Sequence, residues 1–328
     1  MNILVTGGSG FIGSHLTDRL LAEGHTVTVV DDLSTGSRKN LSHHSSHPGL
    51  KFVQSDLGDP ELVSHLCDSA DMVYHLAAAV GVALIAKYPI QTIHRNIYPT
   101  QLLLDELRRQ HLSGRSVPLF LASTSEVYGK NPKSIWCESD DLVFGATTKP
   151  RWSYGASKAI DEFLSLACVR ECQMPIVIGR FFNVVGPRQT GAYGMVLPRF
   201  VTAAIQHQPL IVHDDGKQER CFAHVSDVVN AVTTLMNTPE SFGRIYNIGS
   251  DQPVSILEMA ERVIAVVGGE SKIVFQSYAD AYDQDFEDIR RRVPDLARIR
   301  EAIGYAPKLG LDQIIADVWR SLRESQPA

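Results

Sequence analysis

The run Asn2-Ile3-Leu4-Val5-Thr6 passes straight into Gly7-Gly8-Ser9-Gly10-Phe11-Ile12-Gly13, and an amphipathic pattern (Ile12, Leu16, Leu20, Leu21) follows. A short apolar run of this kind reads as a buried strand, and the pattern after it as a helix. Glycines at 7, 10 and 13 between them serve three purposes: a tight turn, close approach of backbone to a pyrophosphate, and a helix N-terminus facing negative charge. A second strand, Thr26 to Val30, ends in Asp31, followed by Asp32. An acid roughly 20 residues past such glycines accepts hydrogen bonds from the adenosine ribose hydroxyls. It also repels a 2′-phosphate, so the reading is NAD rather than NADP, with Arg38 and Lys39 the nearby cations that weigh the other way. Gly7, Gly10, Phe11, Ile12, Gly13, Asp31 and Asp32 are therefore expected at the cofactor.

The chain continues in strand and helix alternation. A third strand is predicted over Lys51 to Leu57, with Asp56 near its end able to reach the adenine amino group and Leu57 beside it. A fourth covers Asp71 to Ala78, where Leu76, Ala77 and Ala78 let the backbone pass close to a cofactor. Pro89 to His111 has helical periodicity and carries Asn96 and Thr100. Further strands are predicted at Pro118 to Ser123, Pro175 to Phe182 and Arg244 to Ile248. Such alternation predicts an α/β fold, a Rossmann-type doubly wound parallel sheet, with ligands beyond the carboxyl ends of its strands. After Asn183 the texture changes to Gly, Pro and charge, with helices predicted from Met195 to His207, His224 to Met236, Ser255 to Val267, Leu296 to Ile303 and Leu311 to Leu322, and a strand near Lys272 to Gln276. The division expected is residues 1–183 and 222–252 for the NAD-binding part, and 184–221 and 253–328 for a smaller, discontinuous α/β substrate domain.

Trp152-Ser153-Tyr154-Gly155-Ala156-Ser157-Lys158 opens a helical run reaching Cys172. A spacing of four puts Tyr154 and Lys158 on one helix face. A free tyrosine has a pKa of about 10, so bringing it to neutrality takes about three units, or roughly 4 kcal/mol. A fixed ammonium and a nicotinamide cation can supply that. The phenolate then takes a proton from a substrate hydroxyl while hydride leaves the same carbon. Taken alone, a Tyr/Lys pair is an ordinary solvated helix face. Here Gly7 to Gly13, Asp31, Asp56, Ala77 to Gly81, Thr124 to Glu126 and Asn183 all fall at predicted strand ends on the same side.

The bulk properties exclude other classes. With 328 residues and a net charge of −6, acids and bases interspersed, the chain offers no nucleic-acid surface. Five cysteines form no CxxC pair and no metal spacing, as suits a reducing cytoplasm, so no metal site is expected. His43, His44 and His47 lie in a polar stretch with no acid or cysteine close in sequence, and read as a solvated loop. Met1 is followed at once by the first strand, so no signal peptide is expected, and no apolar run is long enough to span a bilayer.

Taken together, TGGSGFIGSH, VVDDL, HLAA, STSEVYG, YGASK, RFFNVVGPRQ, GKQERCFAHVSDVV and VPDLARIREAIGYAP resemble the extended short-chain dehydrogenase/reductase family, in its nucleotide-sugar epimerase, dehydratase and decarboxylase branch. The likeness covers essentially the whole chain. It implies that Tyr154 is the base, that Lys158 tunes it and holds the nicotinamide ribose, and that Thr124 hydrogen-bonds the reacting oxygen. It further implies that Asn183, Arg220 and one of Arg290, Arg291 and Arg292 (Arg291 is the residue chosen) bind the diphosphate of a UDP-sugar. Gly81, Ser125, Gly191, Tyr193 and Gly194 are expected near the sugar. The pattern departs where Cys221 follows Arg220 and where Asp285 and Glu287 replace a basic residue. The helices Pro89 to His111 and Trp152 to Cys172 resemble the family's dimer interface, implying a homodimer.

Members of this branch first oxidise a sugar carbon, usually C4, and diverge at the ketone. Glu126 is the deciding position, an acid/base able to serve elimination or decarboxylation. STSEVYG resembles UDP-glucuronate decarboxylases, while YGASK and GPRQTGAYGMVLPRF look more like epimerases, and no arginine stands in the Ala79 to Lys87 loop to hold a carboxylate. The weight falls on an NAD-dependent UDP-sugar 4-epimerase. UDP-glucuronate decarboxylase and 4,6-dehydratase are the alternatives, and a non-catalytic NAD-binding regulator is the reading from another class.

Overall fold

The computed structural model of the chain describes residues 1–79, 88–191, 195–278 and 289–324. Gly81, Tyr193, Gly194, Asp285 and Glu287 lie outside the described residues. The first six strands are β1 (Asn2–Thr6), β2 (Thr26–Val30), β3 (Leu50–Val53), β4 (Met72–His75), β5 (Leu119–Thr124) and β6 (Ile176–Phe181). Four short ones follow, β7 (Val184–Val185), β8 (Leu210–His213), β9 (Glu219–Cys221) and β10 (Ala223–His224), before β11 (Arg244–Ile248). The main sheet has seven strands in the order β11-β6-β5-β4-β1-β2-β3, every neighbour parallel. From β1 the chain first builds outward through β2 and β3, then returns to place β4 on β1's other side. That reversal opens a crevice beyond the carboxyl ends of β1 and β4.

Ile3, Leu4, Val5, Leu119, Phe120 and Leu121 are all buried. The sheet is covered on both faces, which is why its strands read as continuous apolar runs rather than alternations. One face takes α1 (Phe11–Ala22), α6 (Val225–Met236) and α8 (Ala297–Ile303). The other takes α2 (Pro60–Asp68), α3 (Pro89–Leu112) and α4 (Ser153–Cys172). Each fully buried Leu, Ile or Val contributes roughly 1.5–3 kcal/mol. A separate core joins α5 (Val196–Ile205), α7 (Ile256–Val267) and α9 (Leu311–Glu324) to β8. Beside it lie β12 (Pro253–Ser255), β13 (Ile273–Gln276) and β14 (Arg291–Arg292). Here β13 pairs with β8, and β9 lies between β12 and β14. No helix among the described residues is long and apolar enough to cross a membrane.

Local chemistry explains the helix starts. Asp59 caps α2, accepting from the Glu61 N–H at 2.9 Å, with Pro60 at the first helical position. Ser255 accepts from the Glu258 N–H at 3.0 Å, a Ser-x-x-Glu start for α7. The ends of two strands differ from the sequence expectation. β3 stops at Val53 and β4 at His75, because Asp56 to Gly58 turn on the Asp56 side chain and Leu76 to Ala79 leave the sheet to line the crevice.

Candidate active site

One cleft, about 840 Å³ in volume, runs along the carboxyl ends of the sheet and under the second core. Its first half is built by the glycine turn. Gly7 has φ +69°, and a Cβ there would meet the Ala77 amide nitrogen at 2.8 Å, so the turn and the end of β4 touch backbone to backbone. Gly10 precedes α1 without a side-chain cap, and no acid occupies the first turn. The N–H groups at the start of α1, beside Phe11, Ile12 and Gly13, are left for an anion. At the end of β2, the Asp31 carboxylate accepts from the N–H groups of Ser9 and Leu33, both at 2.9 Å. Burial raises its pKa while these amides pull the other way. Asp32, Asp56, Leu57, Leu76, Ala77 and Ala78 line the same half. Asp32 also accepts from Arg95 at 3.3 Å, and Arg38 lies 4.6 Å over the Phe52 ring. A phosphate-ready helix end plus a buried acid at the ribose position fit an adenine dinucleotide without a 2′-phosphate.

Asn96 does not line this cleft. Its side chain accepts from the Ala79 N–H at 2.8 Å and donates to Ser157 Oγ at 3.1 Å, tying the segment after β4 to α4. Its role is to hold the cofactor wall from behind.

At the middle of the cleft, Thr124 ends β5 and caps a 3₁₀ turn, Ser125–Tyr128, through the Glu126 N–H. Gly155 lets α4 dock on that turn, since a Cβ there would lie 2.5 Å from the Glu126 carbonyl oxygen. Tyr154 is thereby set in hydrogen-bond contact with Thr124. The expected acidification of Tyr154 is not produced by the protein's own groups. Burial foremost, and then the Glu126 charge, push the phenol above the ordinary tyrosine value, Thr124 lowers it, and Asp161 raises it further. Lys158 is 2% exposed and donates from Nζ to Asp161 Oδ2 at 2.8 Å, one turn below the tyrosine.

Glu126 carries the feature least visible in the sequence. Arg151 donates to Oε2 at 2.7 Å, and Arg292 donates to Oε1. Burial would raise this carboxyl, but the charges of Arg292 and Arg151 outweigh it and hold the pKa at about 2. Glu126 is therefore ionised with each oxygen held by a guanidinium, and is not the free acid/base expected. The register explains why Arg292 enters. On adjacent parallel strands Arg292 pairs with Arg220, and Arg291 with Glu219. Side chains alternate along a strand, so Arg220 and Arg292 share the cleft face while Arg291 and Glu219 share the other. Arg291 pairs with Glu219 and donates to the Ser134 carbonyl at 3.0 Å. It does not reach the cleft, which corrects the choice among the three arginines. Arg290 is bound to Asp214 and Asp215. Arg292 Nε is buried with no hydrogen-bond partner among the described residues, a donor left for a ligand.

Ser125, Asn183 and Arg220 line the cleft. Asn183 stands at φ +31° and donates to the Cys221 carbonyl at 3.1 Å. Cys221 is buried, its thiol pushed up to about 12 by that burial. The histidine loop is a 3₁₀ helix, Arg38–His44, and an acid absent from its sequence neighbourhood meets it in space. His43 and His44 lie 2.9 and 3.0 Å from Asp18 Oδ1, and Arg188 donates to Oδ2 at 2.7 Å. That carboxylate meets both histidines on one oxygen and Arg188 on the other.

Known proteins resemble this chain throughout. The sequence pattern of the family described as "NAD dependent epimerase/dehydratase family" matches residues 3–249. A UDP-N-acetyl-alpha-D-glucosaminuronate decarboxylase of Bacillus cytotoxicus is 38% identical, over 98% of this chain and 97% of its own. A UDP-glucuronic acid decarboxylase 1 of Xenopus tropicalis is 33% identical, over 95% of this chain and 69% of its own. In three dimensions, the UDP-glucuronic acid 4-epimerase of Bacillus cereus, solved with UDP-glucuronic acid and NAD, superposes with a TM-score of 0.87 over 99% of both chains at 26% identity. Sequence pattern, glycine turn and ribose-side acid agree: the chain belongs to the NAD dependent epimerase/dehydratase family, with NAD as its cofactor.

Proposed function

We propose that this enzyme decarboxylates a UDP-linked hexuronate through a 4-keto sugar. The observation that carries the reading is the Arg151–Glu126–Arg292 group beside Tyr154. Two guanidinium groups share this one carboxylate in a buried pocket, and Arg292 Nε has no partner among the described residues, so the group suits a sugar that brings its own carboxylate. The two relatives named as decarboxylases, which exceed the epimerase neighbour in identity, support the same choice. The epimerase preference drawn from YGASK and GPRQTGAYGMVLPRF gives way to them.

In this reading Asn183 and Arg220 hold the diphosphate, and Tyr154 takes the proton of the sugar 4-hydroxyl while Thr124 hydrogen-bonds its oxygen. Bound NAD supplies the hydride acceptor for C4 and later the donor. The ketone at C4 is β to the C5 carboxylate, so the C5–C6 electrons flow toward the C4 oxygen as carbon dioxide leaves. Tyr154, now protonated, and Thr124 steady the charge that collects on that oxygen. Arg292 and Arg151 first attract the carboxylate. Glu126 keeps their planes fixed so that they do not follow the departing group. One proton is then taken up at C5.

The test is incubation with UDP-glucuronate, UDP-N-acetylglucosaminuronate and UDP-glucose in deuterium oxide, followed by mass spectrometry. A uronate is expected to lose carbon dioxide and gain one deuterium at C5. Unchanged mass with a new stereoisomer would establish the 4-epimerase instead, and loss of water a dehydratase. We also propose a homodimer through α3 and α4, where Ile90 is 82% and Phe163 63% exposed, with Ile93 and Ile160 beside them.

A further inference from the structure

Beneath Tyr154 lies a charged residue that the mechanism above does not use. Asp161 is 0% exposed, and its Oδ2 accepts from Lys158 Nζ at 2.8 Å. Its other oxygen, Oδ1, is buried with no hydrogen-bond partner among the described residues. An incompletely bonded carboxylate in a closed core is costly, and a structural role would be better met by a neutral or apolar residue. Among the described residues, the other side chains around it carry no free counter-charge. On β4, His75 lies 2.8 Å from Thr6 Oγ1 and 3.1 Å from Thr100 Oγ1. Thr100 donates its proton to the Asn96 carbonyl at 2.8 Å, so His75 donates through Nε2 and is neutral, its pKa lowered to about 3 by burial and then by the Lys158 charge. On α4, Glu162 is bound by Arg180 of β6 at 2.7 Å. Above, Glu126 is bound by Arg151 and Arg292. Burial raises the Asp161 carboxyl, the Lys158 charge and hydrogen bonds from Lys158 and Thr100 pull it back down, and Lys158 is the cation it touches.

We propose that Asp161 is a positioning residue, the counter-ion that keeps Lys158 charged and anchored under Tyr154. This rests on the reading that Tyr154 and Lys158 drive the sugar oxidation, and deepens it. A buried ammonium without a counter-ion gives up its proton, with shifts of up to 3–5 pH units at fully buried sites. Asp161 opposes the phenolate by its own charge, but it sits seven residues, or about two turns, from Tyr154, whereas Lys158 sits about one turn away. What the aspartate gives the site is therefore the charge and position of Lys158, not an acidifying charge on the phenol.

The deciding variant is Asp161→Asn, of nearly the same shape. Lys158 is titrated by NMR of protein labelled with ¹³C at lysine Cε, with Lys158→Met identifying the resonance and NAD present throughout. The Lys158 midpoint is expected to fall by more than about one pH unit in the variant. An unmoved midpoint in a folded variant overturns the proposal. Should Asp161→Asn not fold, the double variant Lys158→Met/Asp161→Asn decides. Recovery of the fold would show that the aspartate answers the lysine's charge, and failure would assign it to packing alone. The titration needs no turnover, so an enzyme inert toward every UDP-sugar would sink the proposed function while leaving Asp161 to be judged separately.

Discussion

Glu126 and Glu162 are both buried and both held by arginine, but the arginines come from different places. Glu162 on α4 is gripped by Arg180 of β6, with Nε at 2.9 Å and the terminal nitrogen at 2.7 Å, and by Ser123 of β5. Every partner belongs to the main sheet or to a helix lying on it. Glu126 instead joins Arg151, from the segment before α4, to Arg292, from a strand beside the second core. One pair is finished when the sheet is finished, while the other faces a cleft and leaves a donor unsatisfied. Ion pairs of the same chemistry can thus serve folding or reaction, and what separates them is whether the partners stay with the main sheet or reach beyond it into the cleft.

The largest effect expected on the cleft side is that of Tyr154→Phe. Turnover should fall by roughly 10²–10⁴ or more while NAD still binds by calorimetry. Retained turnover would remove the distinction between the two regions. Next comes the core pair: Glu162→Gln should lower stability by about 3–5 kcal/mol in urea denaturation, because Arg180 is left buried and unanswered. Glu126→Gln should cost markedly less stability and more activity, and the reverse ranking would break the comparison. Arg292→Ala should reduce kcat/KM for a uronate by roughly 10- to 10²-fold, the scale of a charge-assisted hydrogen bond of about 1.5–3 kcal/mol, with UDP-glucose binding little changed.

Acid sharpens the same contrast. His75 is neutral in the fold with its pKa near 3, below the 6.5 of the unfolded chain. Its contribution is complete above pH 6.5 and is lost as the pH falls toward 3. Between pH 7 and pH 5 the protein should lose about 2 kcal/mol through this residue, a slope that His75→Asn should flatten in thermal melts. Smallest in free energy is Phe163→Glu, which should shift a dimer toward monomer in sedimentation with the fold intact.

Much of the sheet was legible. β1, β2 and β11 stand at the residues predicted, because buried parallel strands announce themselves as apolar runs between turns. The glycine turn and Asp31 were legible for the same reason, since each lies next to its own strand. The unread elements are α2 and strands such as β7, β10 and β14, whose two residues have no period to detect. The sugar half of the site suffers most from that. Arg292 could not be told from Arg291 without knowing which faces Arg220, a register set by residues some 70 apart. Arg151 was within reach, three positions before Tyr154, but its partner Glu126 is 25 residues away in sequence. Asp161 lay in plain view one turn beyond Lys158, and only its complete burial marks it as unusual.

The pairing of β14 with β9 makes the cleft a matter of parity. Inserting or deleting a single residue just before Arg291 would exchange inner for outer along that strand, sending Arg292 to solvent and delivering its neighbour to the substrate. Nothing in composition would change, yet the cleft arginine would now come with a different reach and no carboxylate prepared for it. For anyone engineering this scaffold, the length of the stretch leading into β14 therefore decides which arginine faces the cleft as firmly as the identity of any side chain.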